Sequence, residues 1–474
     1  MINSIKKLLS GTILSQIIAI IGLIFLSNIY GPKAFGTYSI ILSMIGIFTI
    51  ISSFAYEQSI PLPKVENNTK QITIICFINI LIIGLIISPI TYYVLSEIGF
   101  INDSVKKIEN YIILIGLCIL SNGIIMVYNF WSLRYKYYSN IRNIKIIQSL
   151  LQLIFQICLY CFMDNGLFYG YFISVLIIFS YIFYKMDFTS IVKSVHCIRL
   201  FYNLKKYKRF PLFSTWEVLL NGLSIHLIPI LLSYYLTTEF TGQFSLSFRL
   251  VSLPMVVLGT VFSQYLFSKT ELIIDSNGNK NELNLVLNAI LLISFMSFCL
   301  IFLFSKPIFL IILGNDWCVG SDLCKILSFS IAAQLVGSPL SSFFPILQQQ
   351  LLGLKLQILL VLLRVSPILI FANKISNENL IFIFSVLSFI SYSVMAFFAL
   401  KLLSINLFGL YFRFLDRFKL HVIFSLIFLI ILECLEDYNN NPFFVFSILI
   451  IYLLTMLIVS KPFICLNIFY KGNK

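Results

Sequence analysis

Charged residues are scarce in this chain of 474 residues. They make up 11% of the sequence, against 59% apolar residues and a mean hydropathy of +0.97. Because soluble domains carry about 25% charged residues, the composition excludes a soluble protein and indicates an integral membrane protein. It also argues against a nucleic-acid role for the net charge of +14, since such a role needs a soluble basic face.

Residues that bind metals or nucleotides are also few. The chain has 3 histidines, and its histidines, cysteines and acids do not show the spacing of a metal site. It has no G-x-x-x-x-G-K-[ST] motif, which excludes an ATP-driven exporter in a single chain. We interpret Cys158 and Cys161, a C-x-x-C inside an apolar run, as core thiols. Cys318 and Cys324 share an external segment and could pair in an oxidising compartment. We expect no cofactor.

Long apolar runs dominate the rest of the chain. Runs of roughly 20 residues follow one another, and this is the length that crosses about 30 Å of hydrocarbon. They favour helices over a β-barrel, whose strands have about 10 residues of alternating pattern. We therefore predict an all-α, polytopic membrane protein with about 14 transmembrane helices. The run at 8–29 is too long for the apolar part of a signal peptide and is interpreted as the first span.

Basic residues predict the orientation. When the loops are assigned alternately to the two sides, starting from a cytoplasmic N-terminus, most of the 33 lysines and arginines fall on the cytoplasmic side. This bias follows the positive-inside rule and predicts that both termini are cytoplasmic. Arg142 and Lys145 count among these cytoplasmic cations, at the start of the fifth predicted span, 144–162. The charge then faces anionic membrane lipids rather than nucleic acid.

A weak internal repeat predicts two related halves. Residues 25–40 align with 231–246 without a gap, at the external turn of two hairpins. The identical pairs are Leu26/Leu232, Ser27/Ser233, Gly36/Gly242 and Ser39/Ser245. We predict two six-helix lobes with a pseudo-twofold relation, followed by two extra C-terminal helices. The predicted divisions are a first lobe at 1–184, a basic cytoplasmic linker at 185–210 that suits a helix on the membrane surface, a second lobe at 211–400, and an interfacial segment with the two extra helices at 401–474.

Two arginines are predicted inside spans, where charge is costly and usually functional. Arg364 is the deeper, so we expect its guanidinium to meet a carboxylate, an anionic substrate or cavity water. Arg249 lies about two turns into the eighth predicted span, 243–268, from the external side. From there it either faces a cavity or snorkels to the surface.

Three further titratable residues are candidates for an ion or substrate pathway. Glu217 lies about two turns into the seventh span, and we expect it to line a cavity from the side opposite Arg249. His226 follows nine residues later, on the opposite helix face, because each residue turns the helix by about 100°. This weakens a direct proton relay between the two. Glu57 ends the second span and is either functional or a solvated helix end.

These residue types suit an anionic substrate. A guanidinium stays charged and binds phosphate oxygens through two parallel hydrogen bonds. Two arginines in a water-filled cavity would therefore suit the head group of an anionic lipid-linked molecule. A carboxylate or histidine in the same cavity could take up a proton on one side and release it on the other.

Two groups of residues carry a family resemblance. The first is Tyr30-Gly31-Pro32, Ala34-Phe35-Gly36, Tyr38-Ser39, Tyr56-Glu57 and Leu62-Pro63-Lys64, and the second is 211–214, Leu231-Leu232-Ser233, Gly242, Ser245, Arg249 and Leu253-Pro254. In these residues the chain resembles bacterial polysaccharide flippases, the O-antigen and capsule repeat-unit translocases of the multidrug/oligosaccharidyl-lipid/polysaccharide exporter superfamily. One departure is Ala55, where members often carry a basic residue before the Tyr-Glu pair.

The resemblance implies a fold and a substrate. Family members have two six-helix bundles around a central cavity, often with two added helices. They move oligosaccharides linked to undecaprenyl pyrophosphate from the cytoplasmic to the periplasmic leaflet of the bacterial inner membrane, by alternating access coupled to a proton or sodium gradient. Implied partners are membrane lipids, the lipid-linked oligosaccharide, and polysaccharide polymerase and chain-length proteins. The expected activity is transport, not enzymatic catalysis.

Other functions remain open on the sequence. A multidrug exporter of the same fold would carry acidic residues in the spans of its first lobe, and the predicted first lobe has none at mid-membrane. A membrane-embedded polysaccharide polymerase or ligase would carry a large external loop rich in arginine and histidine, which is not present. A structural membrane protein without transport activity would have little use for charges inside its spans.

Overall fold

The structure, a computed structural model, describes residues 2–97, 111–163, 165–186, 188–259, 280–347 and 349–403, with positions 262, 405, 419 and 455 and the segments 423–428 and 447–452. These residues are helical, with no β-strand among them. Ten of the described helices are long and apolar enough to cross a membrane. The all-α polytopic fold is thus confirmed. Most of the predicted interfacial segment and last two spans, within 401–474, lies outside the described residues.

The described α-helices are numbered here in chain order. They are α1 (Ile2–Ile51), α2 (Glu66–Glu97), α3 (Ile112–Arg134), α4 (Tyr138–Cys158), α5 (Gly166–Lys185), α6 (Phe188–Lys193), α7 (Cys197–Lys206), α8 (Thr215–Tyr235), α9 (Thr238–Val251), α10 (Lys280–Ile312), α11 (Cys318–Ser341), α12 (Phe343–Ile346), α13 (Gln350–Phe371) and α14 (Asn377–Leu402). Short 3₁₀-helices cover Tyr56–Ser59, Leu159–Cys161 and Asn315–Trp317, and π-helical turns cover Phe210–Ser214 and Met255–Gly259.

Helix α1 contains the first predicted span and most of the second. Its helical conformation is broken at Gly31, whose φ of 70° and ψ of 171° suit glycine, and Pro32 restarts the helix. Contacts with α4 show that the chain reverses there. Gly22 packs against Leu153, and the Tyr30 hydroxyl donates to the carbonyl of Gln156 at 2.6 Å. Tyr38, which follows the break, accepts a hydrogen bond from Gln152. Gln152 lies one turn before Gln156 in α4, so α1 runs along α4 in the opposite direction after the break.

The two copies of the repeat predicted from the sequence are in contact with each other. A Cβ atom added to Gly36 would lie 1.8 Å from the carbonyl oxygen of Thr238, and one added to Gly242 would lie 1.9 Å from that of Pro32. Pro32 and Thr238 are also aligned in the repeat, four residues before Gly36 and Gly242. The contact is therefore reciprocal, as across a twofold axis. Small residues allow this close approach of two backbones in a membrane, and the contact supports the predicted pseudo-twofold relation.

Contacts divide the chain into two compact units. The first comprises residues 1–246 and 357–375, and the second comprises 247–356 and 376–474. Within the second unit, α11 packs against α10 and α14, and Gly337 of α11 lies against the backbone of Tyr392. The same three helices line an apolar cleft of about 510 Å³. The lobe boundaries at 1–184, 185–210, 211–400 and 401–474 stay a prediction.

The linker predicted at 185–210 folds into the short helices α6 and α7. Helix α7 exposes Ile198 and Phe201 together with Lys205 and Lys206. It buries Asn203, whose side chain donates to the carbonyl of Arg199. Exposed apolar and basic side chains on one short helix are typical of a segment at a membrane surface.

The cysteines are free thiols in the described residues. Cys158 and Cys161 are both unpaired and exposed, not core thiols as predicted, because the last turn of α4 and the 3₁₀-helix after it leave both at the surface. Cys318 and Cys324 do not form the disulfide that their spacing allowed. Cys324 is buried with its thiol 3.6 Å from the carbonyl of Ser247, whereas Cys318 is exposed. No group of three metal-ligating side chains occurs among the described residues.

Candidate functional site

Arg364 is fully buried in α13, about 10 Å from the nearer end of that helix. Its Nη1 atom donates to the carbonyl oxygen of Ser224 on α8 at 3.2 Å. Both residues belong to the first compact unit. This backbone carbonyl is one partner of the guanidinium, and the expected carboxylate, anionic substrate or cavity water stays a prediction. Arg364 therefore joins α13 to α8 in the interior of the unit.

A proline lies close to this hydrogen bond in α8. Pro229 lies inside α8 and has no N–H group for the carbonyl of Ile225, and its ring displaces the preceding turn. Ser224 belongs to that turn. Since backbone carbonyls within the membrane need protein donors, a buried guanidinium beside the proline turn stabilises it. Arg364 thus stabilises the packing of α13 against α8 through this hydrogen bond.

His226 lies against α1. A Cβ atom added to Gly46 would lie 2.6 Å from both Cε1 and Nε2 of its imidazole. One turn away, a Cβ at Gly222 would lie 2.2 Å from the end of the Ile50 side chain. Along these contacts, residue numbers increase in α8 as they decrease in α1, so the two segments run antiparallel. Gly46 and Gly222 are not among the predicted site residues, although a glycine in each helix was a visible signal for close packing.

Glu217 lies in the first turn of α8, just after the π-helical turn Phe210–Ser214. Its side chain is half-buried and forms no hydrogen bond or ion pair with a described residue. A carboxylate in the first turn is favoured by the helix dipole. His226 lies nine residues further along the same helix, and no contact between the two side chains occurs.

Glu57 is buried, with 4% of its surface exposed, in the 3₁₀-helix that follows α1. Its carboxylate accepts a hydrogen bond from the Ser53 hydroxyl. Burial raises the pKa of Glu57 above its usual range, and the Ser53 hydrogen bond partly opposes this rise. The alternative that Glu57 is a solvated helix end is wrong, because the chain turns inward after Ile51.

An unusual backbone turn causes this burial. Phe54 and Ala55 have φ angles of 50° and 55°, a left-handed conformation that is uncommon for residues with a Cβ atom. Two such residues in succession indicate local strain that the surrounding packing must hold. The next residue, Tyr56, packs in a buried cluster that also contains Tyr207. The packing of Tyr56 therefore fixes the position of the Tyr56-Glu57 pair. Ala55, the residue that departs from the family pattern, directly precedes this pair.

Arg249 is the one predicted site residue that belongs to the second compact unit. It is exposed in the last turn of α9, in the second compact unit. The predicted eighth span, 243–268, is interrupted, since α9 ends at Val251 and a π-helical turn covers Met255–Gly259. Residues 263–268 of that span lie outside the described residues. The prediction that Arg249 and Glu217 line one cavity from opposite sides stays a prediction.

The predicted site residues do not include a polar surface that lies on α4. Helix α4 begins at Tyr138, six residues before the predicted span 144–162, so Arg142 belongs to the same helix as Lys145. Its candidate membrane span is Tyr138–Cys161. Polar side chains recur along α4 at intervals of three and four residues, which places them on one face. They are Arg142, Lys145, Ser149, Gln152 and Gln156.

The comparison with protein families identifies the chain. The sequence model of a family described as "polysaccharide biosynthesis protein" matches residues 8–321. The chain belongs to this family. No curated protein matches it.

Solved structures show the same fold. The lipid II flippase MurJ in an inward closed conformation superposes with a TM-score of 0.74 at 15% identity, over 98% of this chain and 99% of MurJ. An inward-facing multidrug resistance MATE transporter of the MOP superfamily gives 0.58 at 14% identity, over 84% and 94%. A MOP superfamily transporter from Pyrococcus furiosus gives 0.60 at 13%, over 85% and 95%. The polysaccharide biosynthesis protein thus shares its fold with these transporters.

Proposed function

We propose that this protein is a flippase that moves oligosaccharide repeat units linked to undecaprenyl pyrophosphate from the cytoplasmic to the periplasmic leaflet, for an O-antigen, a capsule or another surface polysaccharide. The observation that carries the proposal is the match to a polysaccharide biosynthesis family over residues 8–321. The likeness of the fold to a lipid II flippase over nearly the whole chain supports it. The transport would proceed by alternating access, in a bacterial inner membrane with both termini in the cytoplasm.

The charges inside the spans fit an anionic substrate. The candidate spans at 10–51, 112–134, 138–161 and 166–185 contain no Asp or Glu, and the span at 66–86 has only Glu66, at its first position. Arg364 is buried in another span, and guanidinium groups bind phosphate oxygens well. Glu57, His226 and Glu217 are the candidates for coupling to a proton or sodium gradient, since each can change its charge near a helix packing surface.

A multidrug exporter is the second candidate, because MATE transporters share the fold. Many drug cations would need acidic partners inside the spans, and the early spans offer basic and amide side chains in their place. The flippase is therefore the better supported of the two.

Deletion of the gene tests the proposal. The strain should lose surface polysaccharide and accumulate undecaprenyl-linked repeat units on the cytoplasmic leaflet, and a plasmid copy should restore both. Normal polysaccharide in the deletion strain, together with a new sensitivity to cationic drugs, would contradict the flippase and favour the exporter.

A further inference from the structure

Helix α4 has two chemically different faces. One face exposes Ile147, Leu150, Ile154 and Ile157, as expected for side chains in contact with lipid. The opposite face carries the polar series that begins at Arg142 and ends at Gln156. A membrane helix gains nothing from a polar stripe turned toward lipid, so this face belongs to the protein interior.

The polar face packs against α1 and α5. The Cβ position of Gly11 lies 2.9 Å from the Cα atom of Arg142, which brings the two backbones close together. Lys145 Nζ donates to the Thr12 hydroxyl at 3.0 Å. Further along, Gln156 donates to the carbonyl of Leu167 on α5 at 2.8 Å and is 2% exposed.

The two ends of the polar face of α4 differ in the hydrogen-bond partners of their side chains. The amides of Gln152 and Gln156 hydrogen-bond to neighbouring helices, which is the usual structural use of polar groups in membranes. At the other end, Arg142 directs Nε and Nη2 to the side chain of Asn143, at 3.2 and 3.1 Å. Lys145 has the Thr12 hydroxyl. Among the described residues no carboxylate forms an ion pair with either cation.

The two cations of this polar face lie near the start of α4. They lie three residues apart and so on one helix face. Both are half-buried, and Lys145 lies about 10 Å along the helix from its start at Tyr138. Thr12 fixes the ammonium group on the inner face of the helix, away from the lipid face. Cations at such depth usually mark a substrate or ion pathway.

We propose that Arg142, Lys145 and Thr12 form an anion site that binds the diphosphate of the lipid-linked substrate as it enters from the cytoplasmic leaflet. This rests on the proposed flippase function. The guanidinium offers paired N–H donors to phosphate oxygens, the ammonium adds a point charge, and the Thr12 hydroxyl holds that ammonium in place. The head group of an anionic membrane lipid carries the same phosphate chemistry, so the experiment must separate the two sources.

The test uses the full-length protein in nanodiscs of phosphatidylcholine. Two probes are titrated, undecaprenyl pyrophosphate and phosphatidylglycerol, against wild type, Arg142→Gln, Lys145→Gln and Thr12→Ala. Lys185→Gln is the matched control, because Lys185 is an exposed cation in the last turn of α5. Arg142→Lys and Lys145→Arg keep the charge, and thermal unfolding of each variant shows whether the fold is retained.

The site predicts a selective loss. Arg142→Gln and Lys145→Gln should each weaken undecaprenyl pyrophosphate binding about tenfold or more, with a smaller loss for Thr12→Ala. The charge-conserving variants should keep part of the affinity, and Lys185→Gln should bind like wild type.

Other results separate the two proposals. Wild-type affinity in folded Arg142→Gln and Lys145→Gln would overturn the anion site and leave the flippase function standing. A loss confined to phosphatidylglycerol would overturn the substrate assignment and identify a membrane-lipid site. Failure of the wild-type protein to bind undecaprenyl pyrophosphate would contradict the flippase function itself.

Discussion

The reciprocal contact between Gly36 and Gly242 leads to a quantitative prediction. In Gly36→Ala the new Cβ atom would lie 1.8 Å from the carbonyl oxygen of Thr238, whereas ordinary contacts begin at 3.4 Å. The neighbouring atom is backbone and cannot rotate away. The two helices must therefore separate locally by about 1.6 Å, which is an overpacking defect expected to cost about 1–3 kcal/mol of unfolding free energy.

The twofold relation makes the prediction sharper. Gly242→Ala meets the carbonyl of Pro32 at 1.9 Å, so its cost should be close to that of Gly36→Ala. Both alanines push apart the same two backbones. A separation that admits one methyl group largely admits the other, so the double variant should lose clearly less stability than the sum of the two single variants. We expect a coupling of at least about 0.5 kcal/mol.

Unfolding in detergent with increasing SDS measures these changes. A thiol-reactive dye reports the opening of the first unit, because Cys76 and Cys118 are buried there. Gly259→Ala is the matched control, since a Cβ at that position has its nearest neighbours at 3.7 Å. The reasoning would be refuted if Gly36→Ala unfolded like Gly259→Ala, or if the two single effects simply added.

Three other residues give predictions of their own. Arg364→Ala should abolish or sharply reduce flipping while Arg364→Lys keeps part of it, and normal surface polysaccharide from an alanine strain with normal protein levels would contradict this. Gly46→Ala should displace the imidazole of His226 and lower the melting temperature, and adding His226→Ala should recover most of the loss. Burial raises the pKa of Glu57 above 4.5, so the protonated form favours folding; stability from this group should be greatest below pH 4.5 and fall as pH rises through the raised pKa. Glu57→Gln should remove that part of the pH dependence of the melting temperature, and an unchanged profile would count against a buried carboxyl.

Some properties of this protein follow from the sequence because they are local. Apolar runs long enough to cross a bilayer must form helices, since each backbone group can then be satisfied within its own segment. The break at Gly31-Pro32 was visible for the same reason, as glycine and proline act on the backbone where they stand. The repeat that includes Gly36 and Gly242 predicted two related hairpins, although four identities do not show that the two glycines touch.

Other properties depend on which helix faces meet. The sequence placed Arg364 at depth, but its acceptor at Ser224 belongs to a helix that lies 140 positions earlier in the chain. Glu57 is buried because Phe54 and Ala55 adopt left-handed conformations, which no local preference of these residues predicts. The sequence counted Lys145 among the cytoplasmic cations, and the structure shows its ammonium group hydrogen-bonded to Thr12 of α1.

Hydropathy thus determined that the chain spans the membrane, and charge bias predicted its orientation. Neither hydropathy nor charge bias shows how a helix is rotated about its axis or which helix lies beside it. Lipid solvates every apolar helix face similarly, so these averages do not distinguish one face from another. Close contacts at Gly36, Gly242 and Gly46 join residues that are far apart in sequence, and no local pattern shows them. Only the tertiary structure could therefore show that Arg142 and Lys145 pack against α1.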